Sequence, residues 1–336
     1  MYKILFRVEA YEDIALGHLT RCISLAHTFS DLGCEITFIL FNDNESIRRV
    51  RNSGFLYVCK DYKIDNKTYL KDANYIRLLT GYDILVVDSY QLNHEYFSLV
   101  SESFKQVVYI DDLNNNYPVD IVVNSSCRAR KLNYTATLTL LGMKYLILDK
   151  YYWNMPKLVS AEVVGSIMIT MGGVDHYDYS STLLSIIENI RNDITVHIVI
   201  GPYYTNIDSI NTVMRKSNLD IKLHFGLNNI SEVIEQCDIA ISGGGFTIYE
   251  LAAAAIPSIG ISLWENQNSN IKCLASYNAI LPVYHKDNSM KEIGVHISNL
   301  VFDYNLRCSL REAGRRVLDG QGARRIARSV LKKISL

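Results

Sequence analysis

The chain has 336 residues, of which 49% are hydrophobic and 21% are charged, and this mixture excludes wholesale disorder. Lys and Arg total 34 against 35 for Asp and Glu, so the net charge is −1. This balance gives no electrostatic reason to expect nucleic acid or an anionic membrane surface as a partner. The length suffices for two domains, each with its own core.

Predicted strands and helices alternate along the first half of the chain. An apolar run predicts a strand at Lys3–Val8, helical spacing predicts a helix over Leu19–Leu32, and Ile36–Leu40 predicts the next strand. Three more β-branched runs, at 84–87, 107–110 and 121–123, are typical of parallel strands that are buried on both faces. The pattern predicts a Rossmann-like domain over residues 1–155.

The second half repeats this rhythm. Strands are predicted at 164–170, 195–200, 221–225, 239–242, 258–263 and 280–283, and helices at 182–190, at 248–255 and over the last thirty or so residues. The predicted class is α/β, with two Rossmann-like domains whose parallel sheets face a cleft. The second domain covers residues 156–336, with terminal helices free to pack back on the first. Ligands of such sheets bind beyond the carboxyl ends of the strands.

Targeting signals are not evident. The N-terminal apolar run is too short for a signal peptide, and the longest apolar stretch, at 251–264, is shorter than a membrane span and contains Pro257. The seven cysteines are scattered and form no CxxC, which favours free thiols in a reducing compartment. A cytoplasmic protein without an integral membrane segment is predicted.

The first predicted strand is followed by Gly17 and His18. A dinucleotide-binding domain would carry GxGxxG here, so no nicotinamide or flavin cofactor is predicted. At a helix start the dipole favours a neutral imidazole, which leaves His18 able to accept a proton; the alternative is an ordinary residue of the first turn. His18 and Cys22 have the i, i+4 spacing of metal ligands, but two ligands do not make a site, and no metal is predicted.

Polar side chains follow two other strands of the first half. Asp88-Ser89-Tyr90 and Asp111-Asp112 carry carboxylates and a phenol, which suit the recognition of sugar hydroxyl or amide groups. This function is the favoured interpretation for Asp88 and Tyr90. For Asp111, which runs on into three asparagines, solvation of a loop is slightly favoured.

Two glycine clusters follow strands of the second half, at 171–175 and 242–250. Glycines such as Gly172, Gly173, Gly244 and Gly245 let backbone N–H groups approach a phosphate. Within the second cluster, Thr247-x-x-Glu250 has the spacing of a capping box, and a carboxylate that holds ribose hydroxyls is the equally weighted alternative. Glu265-Asn266-Gln267 follows the next strand.

In this order, these motifs resemble the family of UDP-2,4-diacetamido-2,4,6-trideoxy-β-L-altropyranose hydrolases of pseudaminic acid biosynthesis. The family patterns match the following residues: Phe6–Glu9, Ile14–Cys22, Asp88–Tyr90, Ile110–Leu113, Met171–Asp175, Gly244–Glu250, Glu265–Gln267 and Asp319–Arg325. Ala15 stands where the family has glycine, and Met143 and Asp149 stand where it has proline and arginine. The C-terminal half also resembles the lipid II N-acetylglucosaminyltransferase, in which an equivalent Glu holds uridine ribose.

The resemblance implies a GT-B-like fold and a metal-independent hydrolase. Water would attack the anomeric carbon of a UDP-linked diacetamido-trideoxy sugar with inversion and expel UDP, in a pathway that serves flagellin glycosylation or cell-surface polysaccharide. His18 would be the base, and Tyr90 would place the sugar or the water. The sugar-side contacts would be Gly17, Arg21, Asp88, Asp111 and Asn124, and the UDP contacts would be Gly172, Gly173, Gly244, Gly245, Thr247, Glu250, Glu265, Asn266 and Gln267.

Two other functions remain open from the sequence. One is a GT-B glycosyltransferase that uses the same UDP site, and the other is a binding protein for nucleotide sugars in which His18 has no catalytic role. Release of UDP separates them: a hydrolase releases it without an acceptor, a transferase only with one, and a binding protein not at all.

Overall fold

A computed structural model describes residues 1–11, 17–154, 160–201, 204–227, 229–286 and 289–335. Two compact units make up the chain. The first comprises residues 1–153 together with 320–336, and the second comprises residues 154–319. Each unit encloses hydrophobic core of its own.

The first unit contains a parallel sheet in which the described residues form seven strands, in the order β3-β2-β1-β4-β5-β6-β7. The strands are β1 Lys3–Val8, β2 Glu35–Phe41, β3 Leu56–Lys60, β4 Ile84–Asp88, β5 Gln106–Ile110, β6 Ile121–Asn124 and β7 Leu138–Leu141. The helices are α1 Gly17–Asp31, α2 Asn44–Asn52, α3 Tyr69–Leu78 and α4 His94–Ser101. Short 3₁₀ helices lie at Ala129–Lys131, Met143–Tyr145 and Lys150–Asn154.

Both faces of this sheet are covered, and successive residues of β1 show why its apolar run is continuous. Phe6 belongs to the core that includes α1, whereas the adjacent Leu5 belongs to the core that includes α3 and α4. Alternate side chains of a strand point to opposite faces, so a strand that is covered twice needs apolar residues at nearly every position.

The last helix of the chain, α12 at Gly322–Ile334, belongs to the first unit and packs with α1 in its core. Two glycines at the start of this helix allow the chain to pass close to the backbone of the first unit. A Cβ atom on Gly320, whose φ is +72°, would lie 2.1 Å from the carbonyl oxygen of Tyr152, and one on Gly322 would lie 2.0 Å from that of Leu146. The glycines of the motif at 319–325 therefore have a packing role.

The second unit contains six parallel strands among its described residues, in the order β10-β9-β8-β11-β12-β13. The strands are β8 Ser166–Thr170, β9 Thr195–Ile200, β10 Asp220–Phe225, β11 Ile239–Gly243, β12 Ser258–Ser262 and β13 Leu281–Tyr284. The helices are α5 Tyr179–Ile190, α6 Ile207–Met214, α7 Ser231–Ile234, α8 Thr247–Ala253, α9 Asn268–Ser276, α10 Ser289–Phe302 and α11 Tyr304–Val317. A 3₁₀ turn at Glu265–Gln267 precedes α9.

The structure confirms the predicted α/β class and every predicted strand, and adds two strands that the sequence did not indicate. These are β3 and β7, which form the two edges of the first sheet. Four of the five residues of β3 are exposed or only partly buried, as are three of the four of β7. Edge strands need no continuous apolar run, so the pattern that revealed the inner strands does not mark them.

The structure tests the prediction that the cysteines are free thiols. Five cysteines are free, at positions 22, 34, 59, 237 and 308. The free-thiol prediction is wrong for Cys127 and Cys273, because spacing along a chain does not reveal which sulfur atoms have partners.

Across the described ranges, no helix has the length and apolar character needed to cross a membrane.

Candidate functional site

His18 and Asp88 meet at the carboxyl end of the first sheet. Helix α1 begins at Gly17, so His18 lies in its first turn, and Asp88 is the last residue of β4, the strand beside β1. The Nδ1 atom of His18 lies 2.5 Å from Oδ1 of Asp88. A carboxylate can only accept, so this contact favours a hydrogen on Nδ1, and Nη2 of Arg21 lies 3.2 Å from the same nitrogen.

Arg21 holds the Asp88 carboxylate in place from the next turn of α1. Its Nε donates to Oδ2 of Asp88 at 2.5 Å and its Nη2 to Oδ1 at 2.6 Å, while its Nη1 donates to Oδ2 of Asp112 at 2.6 Å. Burial alone would raise the pKa of Asp88, but the Arg21 charge and the hydrogen bonds from Arg21 and His18 lower it to about 2. Asp88 is therefore ionised at neutral pH.

Tyr90 lies against the imidazole of His18. The two ring centroids are 4.4 Å apart in an edge-to-face arrangement, and the phenol donates to Oδ2 of Asp112 at 2.8 Å. Burial and the negative charge of Asp112 raise the pKa of the phenol, so it stays protonated at neutral pH. Tyr90 is 41% exposed, whereas His18 is 9% exposed. The side chain of Tyr90 is thus the more accessible of the pair.

The side chain of Asp88, which was predicted to contact the sugar, is instead surrounded by protein groups. Its side chain is fully buried, Arg21 and His18 occupy its oxygens, and the Cys22 thiol donates to Oδ2 at 3.5 Å. Burial and the nearby carboxylate raise the pKa of Cys22, so this thiol is protonated. In the parts of the chain that the structure describes, no group of three or more His, Cys, Asp or Glu residues is placed to hold a metal ion.

Asp111 and Asn124, both predicted as sugar-side residues, form a second buried network. Oδ2 of Asp111 accepts from the Tyr134 hydroxyl at 2.5 Å and from Nδ2 of Asn124 at 3.3 Å, and Oδ1 accepts from the backbone N–H of Leu113 at 2.9 Å. Both Asp111 and Asn124 are fully buried. These contacts organise the loop after β5, and the burial of Asp111 does not agree with the alternative interpretation of a solvated loop residue. Gly17, in contrast, is exposed.

A third polar cluster in this unit was missed from the sequence. Asp72 of α3 accepts from Nε of Arg7 at 3.0 Å and pairs with Lys60, and Arg7 also donates to Glu9 at 2.5 Å. All four side chains are buried, and burial together with the Arg7 charge lowers the pKa of Lys60 to about 5. The residues are up to 65 positions apart, so no local spacing signals the cluster.

The glycine loop after β8 is exposed at Gly172 and Gly173. Gly172 has φ +82°, and a Cβ atom on Gly201, after β9, would lie 2.1 Å from its carbonyl oxygen. The first N–H groups of α5 are not free for a ligand, because Asp175 accepts from the backbone of Tyr179 at 2.9 Å and of Ser180 at 2.8 Å. A phosphate at this loop could therefore contact the exposed backbone of Gly172 and Gly173, but not the first N–H groups of α5.

The second glycine cluster joins β11 to α8. The carbonyl oxygen of Gly244 accepts from Asn270 at 2.9 Å, whereas a Cβ atom on Gly245 would meet nothing within 4 Å. Helix α8 begins at Thr247, and its N-cap position is Phe246, which makes no side-chain capping bond. Thr247 is therefore one residue too late for the predicted capping box with Glu250, and both side chains are only partly buried.

The remaining predicted UDP contacts lie in the 3₁₀ turn after β12. Glu265 and Asn266 are exposed, whereas Gln267 folds back so that its Oε1 accepts from the backbone N–H of Leu263 at 3.0 Å. The motif positions Ile14, Ala15 and Leu16 lie outside the described residues. The structure thus brings His18, Arg21, Asp88 and Tyr90 together in the first unit, and the predicted UDP contacts follow β8, β11 and β12 in the second.

No protein-family model matches the chain. Three curated proteins are similar to it in sequence. The chain is 26% identical over 281 residues to an uncharacterised protein of Methanocaldococcus jannaschii, which covers 79% of this chain and 56% of that protein. It is 25% identical over 301 residues to the pseudaminic acid cytidylyltransferase and UDP-2,4-diacetamido-2,4,6-trideoxy-β-L-altropyranose hydrolase of Helicobacter pylori, covering 86% and 49%. The chain thus spans about half the length of these two relatives.

The third relative matches over nearly its full length. It is the spore coat polysaccharide biosynthesis protein SpsG of Bacillus subtilis, which is 23% identical over 336 residues, covering 97% of this chain and 96% of that protein. The resemblance drawn from the motifs is therefore confirmed as a similarity in sequence to the Helicobacter protein.

Solved structures show the fold. MurG of Acinetobacter baumannii superimposes with a TM-score of 0.69 at 11% identity, covering 98% of this chain and 99% of that one. A glycosyltransferase of Rickettsia africae gives 0.69 at 14% identity, covering 99% and 98%. A protein of Anabaena that was crystallised with UDP and glucose gives 0.62 at 11% identity, covering 99% and 100%. The chain has the GT-B fold of two Rossmann-like domains, as predicted.

Proposed function

We propose that this protein is a hydrolase that cleaves a UDP-linked 2,4-diacetamido-2,4,6-trideoxy sugar into UDP and the free sugar. The observation that carries the proposal is the 2.5 Å contact between Nδ1 of His18 and the buried Asp88 carboxylate. The sequence similarity to the Helicobacter protein supports the substrate class, and the similarity to SpsG supports a place in surface polysaccharide or pseudaminic acid biosynthesis. We propose a cytoplasmic location for the reaction, because five of the seven cysteines are free thiols.

His18 is the general base of the proposed reaction. With Nδ1–H donated to Asp88, the lone pair of Nε2 takes a proton from water as the water oxygen bonds to the anomeric carbon. The bond between that carbon and the β-phosphate oxygen breaks, and its electron pair leaves with UDP. Asp88 acts through His18, because it orients the ring and stabilises the imidazolium that forms. This role replaces the sugar contact predicted for Asp88.

Arg21 and Tyr90 complete the group around the base. Arg21 keeps Asp88 ionised and joins it to Asp112, and the Tyr90 ring limits the positions that the imidazole can take. The protonated phenol of Tyr90, exposed on one side, is placed to donate a hydrogen bond to the sugar or to the attacking water. Gly17, exposed before His18, remains the proposed sugar-side backbone contact.

The nucleotide contacts of the proposal lie in the second unit. The exposed backbone at Gly172 and Gly173 and the open side of Gly245 suit the approach of a diphosphate. Glu250 and Thr247, partly buried on α8, and the polar turn at 265–267 are the proposed partners of the ribose and the rest of UDP. No cofactor and no metal enters the proposed reaction.

A glycosyltransferase is the second candidate, because the solved structures with this fold include glycosyltransferases. Proton NMR of the purified protein with UDP-2,4-diacetamido-2,4,6-trideoxy sugars of different configuration tests both candidates. Appearance of free sugar and UDP without an acceptor is the expected result, and the first anomer to form reports inversion or retention. UDP release only after an acceptor sugar is added would identify a transferase.

A further inference from the structure

A cavity of about 520 Å³ lies in the second unit, beyond the carboxyl ends of β12 and β13. It is lined after β12 by Ser262, Leu263, Trp264 and Glu265, and at the end of β13 by Tyr284 and His285. Lys272 reaches it from α9, together with Asn268, which is four residues earlier and thus on the same helix face. The volume is within the range of pockets that bind small ligands.

An aromatic cluster, formed by His176, Tyr177, Trp264 and His285, adjoins this cavity. The ring of Tyr177 stacks on His285 with centroids 4.0 Å apart, and lies 5.6 Å from the centroid of Trp264, which is 5.7 Å from His176. Tyr179 anchors the cluster, because its hydroxyl lies 2.8 Å from Nδ1 of His285 and 3.1 Å from Ser289. Trp264 is 45% exposed and Tyr177 is 39% exposed.

The groups in the cavity suit a ligand with amide and methyl groups. Aromatic faces pack against methyl groups and apolar ring hydrogens of a sugar. Lys272 is exposed and lines the cavity, where its ammonium can donate to a carbonyl oxygen. The Ser262 hydroxyl donates to Oδ1 of Asn268 at 2.9 Å, which fixes the amide of Asn268 beside it.

The position of the cavity relates it to the diphosphate loops. The glycine loops follow β8 and β11, which are neighbours at the centre of the sheet. The cavity lies on the β12–β13 side of them, and β9 and β10 lie on the other side. Uridine and the sugar leave a diphosphate from opposite ends, so the two groups bind on different sides of a diphosphate that is held at these loops.

We propose that this cavity and its aromatic cluster are the subsite for the acetamido groups of the sugar, with Trp264, Lys272 and His285 as specificity-determining residues. This inference rests on the proposed function. The acetamido methyl groups and the 6-methyl group pack on the rings, and an acetamido carbonyl accepts from Lys272. A sugar rich in hydroxyl groups gains less from the same surface, so this subsite predicts a preference for diacetamido-trideoxy sugars.

Trp264 provides a direct readout, because the chain has two tryptophans and the other, Trp153, lies in the first unit. In Trp153→Phe all tryptophan fluorescence comes from Trp264; the difference between the wild type and Trp264→Phe gives the same signal if the first variant folds poorly. Titration in a His18→Ala background with UDP, UDP-N-acetylglucosamine and the UDP-diacetamido sugar prevents turnover. The expected result is protection from acrylamide quenching by the diacetamido compound and little by UDP.

Lys272→Ala tests the polar part of the subsite, and Lys216→Ala, an exposed lysine after α6, is the matched control. Loss of one hydrogen bond to the substrate is expected to lower kcat/KM for the diacetamido compound about tenfold. The UDP dissociation constant should change less than about twofold. Lys216→Ala should behave as wild type.

The outcomes separate this inference from the proposed function. If the wild type turns over but Trp264 responds equally to UDP, the cavity holds uridine and the inference is wrong while the function stands. Turnover without any Trp264 response, or with unaltered Lys272→Ala kinetics, overturns the inference in the same way. If no sugar is released but Trp264 responds to the diacetamido compound and not to UDP, the subsite stands and the hydrolase proposal fails.

Discussion

The imidazole of His18 and the carboxylate of Asp88 are joined by a 2.5 Å contact in which the Asp88 side chain is fully buried. They are 70 residues apart in the chain, yet adjacent at the carboxyl ends of β1 and β4. Arg21 occupies the other edge of the same carboxylate. The carboxylate can only accept, so its contact with the ring favours a hydrogen on Nδ1 of His18.

Asp88→Asn is expected to lower the rate of hydrolysis about 10²–10⁴-fold. The Asn amide can donate to Nδ1, which places the proton on Nε2 and removes the acceptor for the water proton. UDP affinity should be unchanged, because the proposed UDP contacts lie in the second unit. The measurement is kcat by NMR together with UDP titration calorimetry.

The control for this variant is Asp83→Asn, before the opposite end of β4, where the carboxylate pairs with Lys105 at 2.7 Å. Breaking a buried ion pair destabilises by about 3–5 kcal/mol, so Asp88→Asn should also melt earlier. Asp88→Glu keeps the charge and should retain more activity than Asp88→Asn. Equal activity of the wild type and a folded Asp88→Asn variant would show that His18 needs no carboxylate partner.

His18→Ala is expected to abolish measurable hydrolysis and to leave UDP binding nearly intact. A positioned general base contributes about 10²–10⁴-fold in rate. His27→Ala, in the same helix α1, is the matched control and should keep the wild-type rate. A folded His18→Ala protein that turns over at a near wild-type rate would assign the base to another residue, with Tyr90 the next candidate.

Gly245→Ala should weaken UDP binding, whereas Gly201→Ala should lower the stability of the fold. A Cβ atom on Gly245 meets nothing within 4 Å, so this variant should fold normally and bind UDP about tenfold more weakly, because the methyl group blocks the approach of a phosphate. A Cβ atom on Gly201 would lie 2.1 Å from the carbonyl oxygen of Gly172, so that variant should lose about 1–3 kcal/mol of stability.

Thermal melts and UDP titrations measure both effects. Gly294→Ala on α10 is the control, because its Cβ atom would make ordinary contact with Ile186 at 3.6 Å. It should leave UDP affinity unchanged. Normal UDP binding by Gly245→Ala would remove this loop from the proposed diphosphate site.

Activity is expected to survive EDTA. Among the residues that the structure describes, no group of three or more His, Cys, Asp or Glu residues is placed to hold a metal ion, and the proposed base is an imidazole rather than a metal-bound hydroxide. The test is the rate after dialysis against EDTA, with and without added Mg²⁺, Mn²⁺ or Zn²⁺. Complete loss with the chelator, restored by one of these metals, would contradict the proposed mechanism.

The sequence predicted the inner strands and the type of residue after each of them, because continuous apolar runs and strand-end positions are local properties. It did not predict the edge strands β3 and β7, whose side chains are largely exposed. Nor did it predict that Asp88 contacts His18 rather than a sugar, or that Asp72 joins Arg7 and Lys60 in a buried cluster. These contacts depend on which loops meet in space, and no short-range pattern encodes that.

A pair of stacked histidines in the second unit makes its stability depend on pH. His197 of β9 and His224 of β10 are parallel to within 6°, with Nδ1 of one 3.1 Å from Nε2 of the other. Burial lowers the pKa of both, and His224 and Lys222 lower that of His197 further. The folded protein therefore takes up fewer protons at mildly acidic pH than the unfolded chain, whose histidines titrate near pH 6.5.

The contribution of this histidine pair to the free energy of unfolding should accordingly be constant above about pH 7.5 and decrease as the pH falls through 6.5 toward 5. The unfolded state binds the extra protons, so each such histidine contributes a slope of at most about 1.4 kcal/mol per pH unit. Asp88, with a pKa of about 2, contributes in a separate window, because its stabilisation is lost only as the pH falls below about 4. Loss of stability between pH 7 and 5 therefore does not report on the Asp88 carboxylate.

Urea unfolding of Trp153→Phe, followed by Trp264 fluorescence, measures this slope for the second unit alone. Adding His224→Phe keeps a planar ring beside His197 and removes one titrating group and one source of repulsion. The slope between pH 7.5 and 5.5 should become shallower, while the stability at pH 8 changes by less than about 1.5 kcal/mol. An unaltered slope in the folded double variant would show that protonation of this pair does not control the acid sensitivity of the unit.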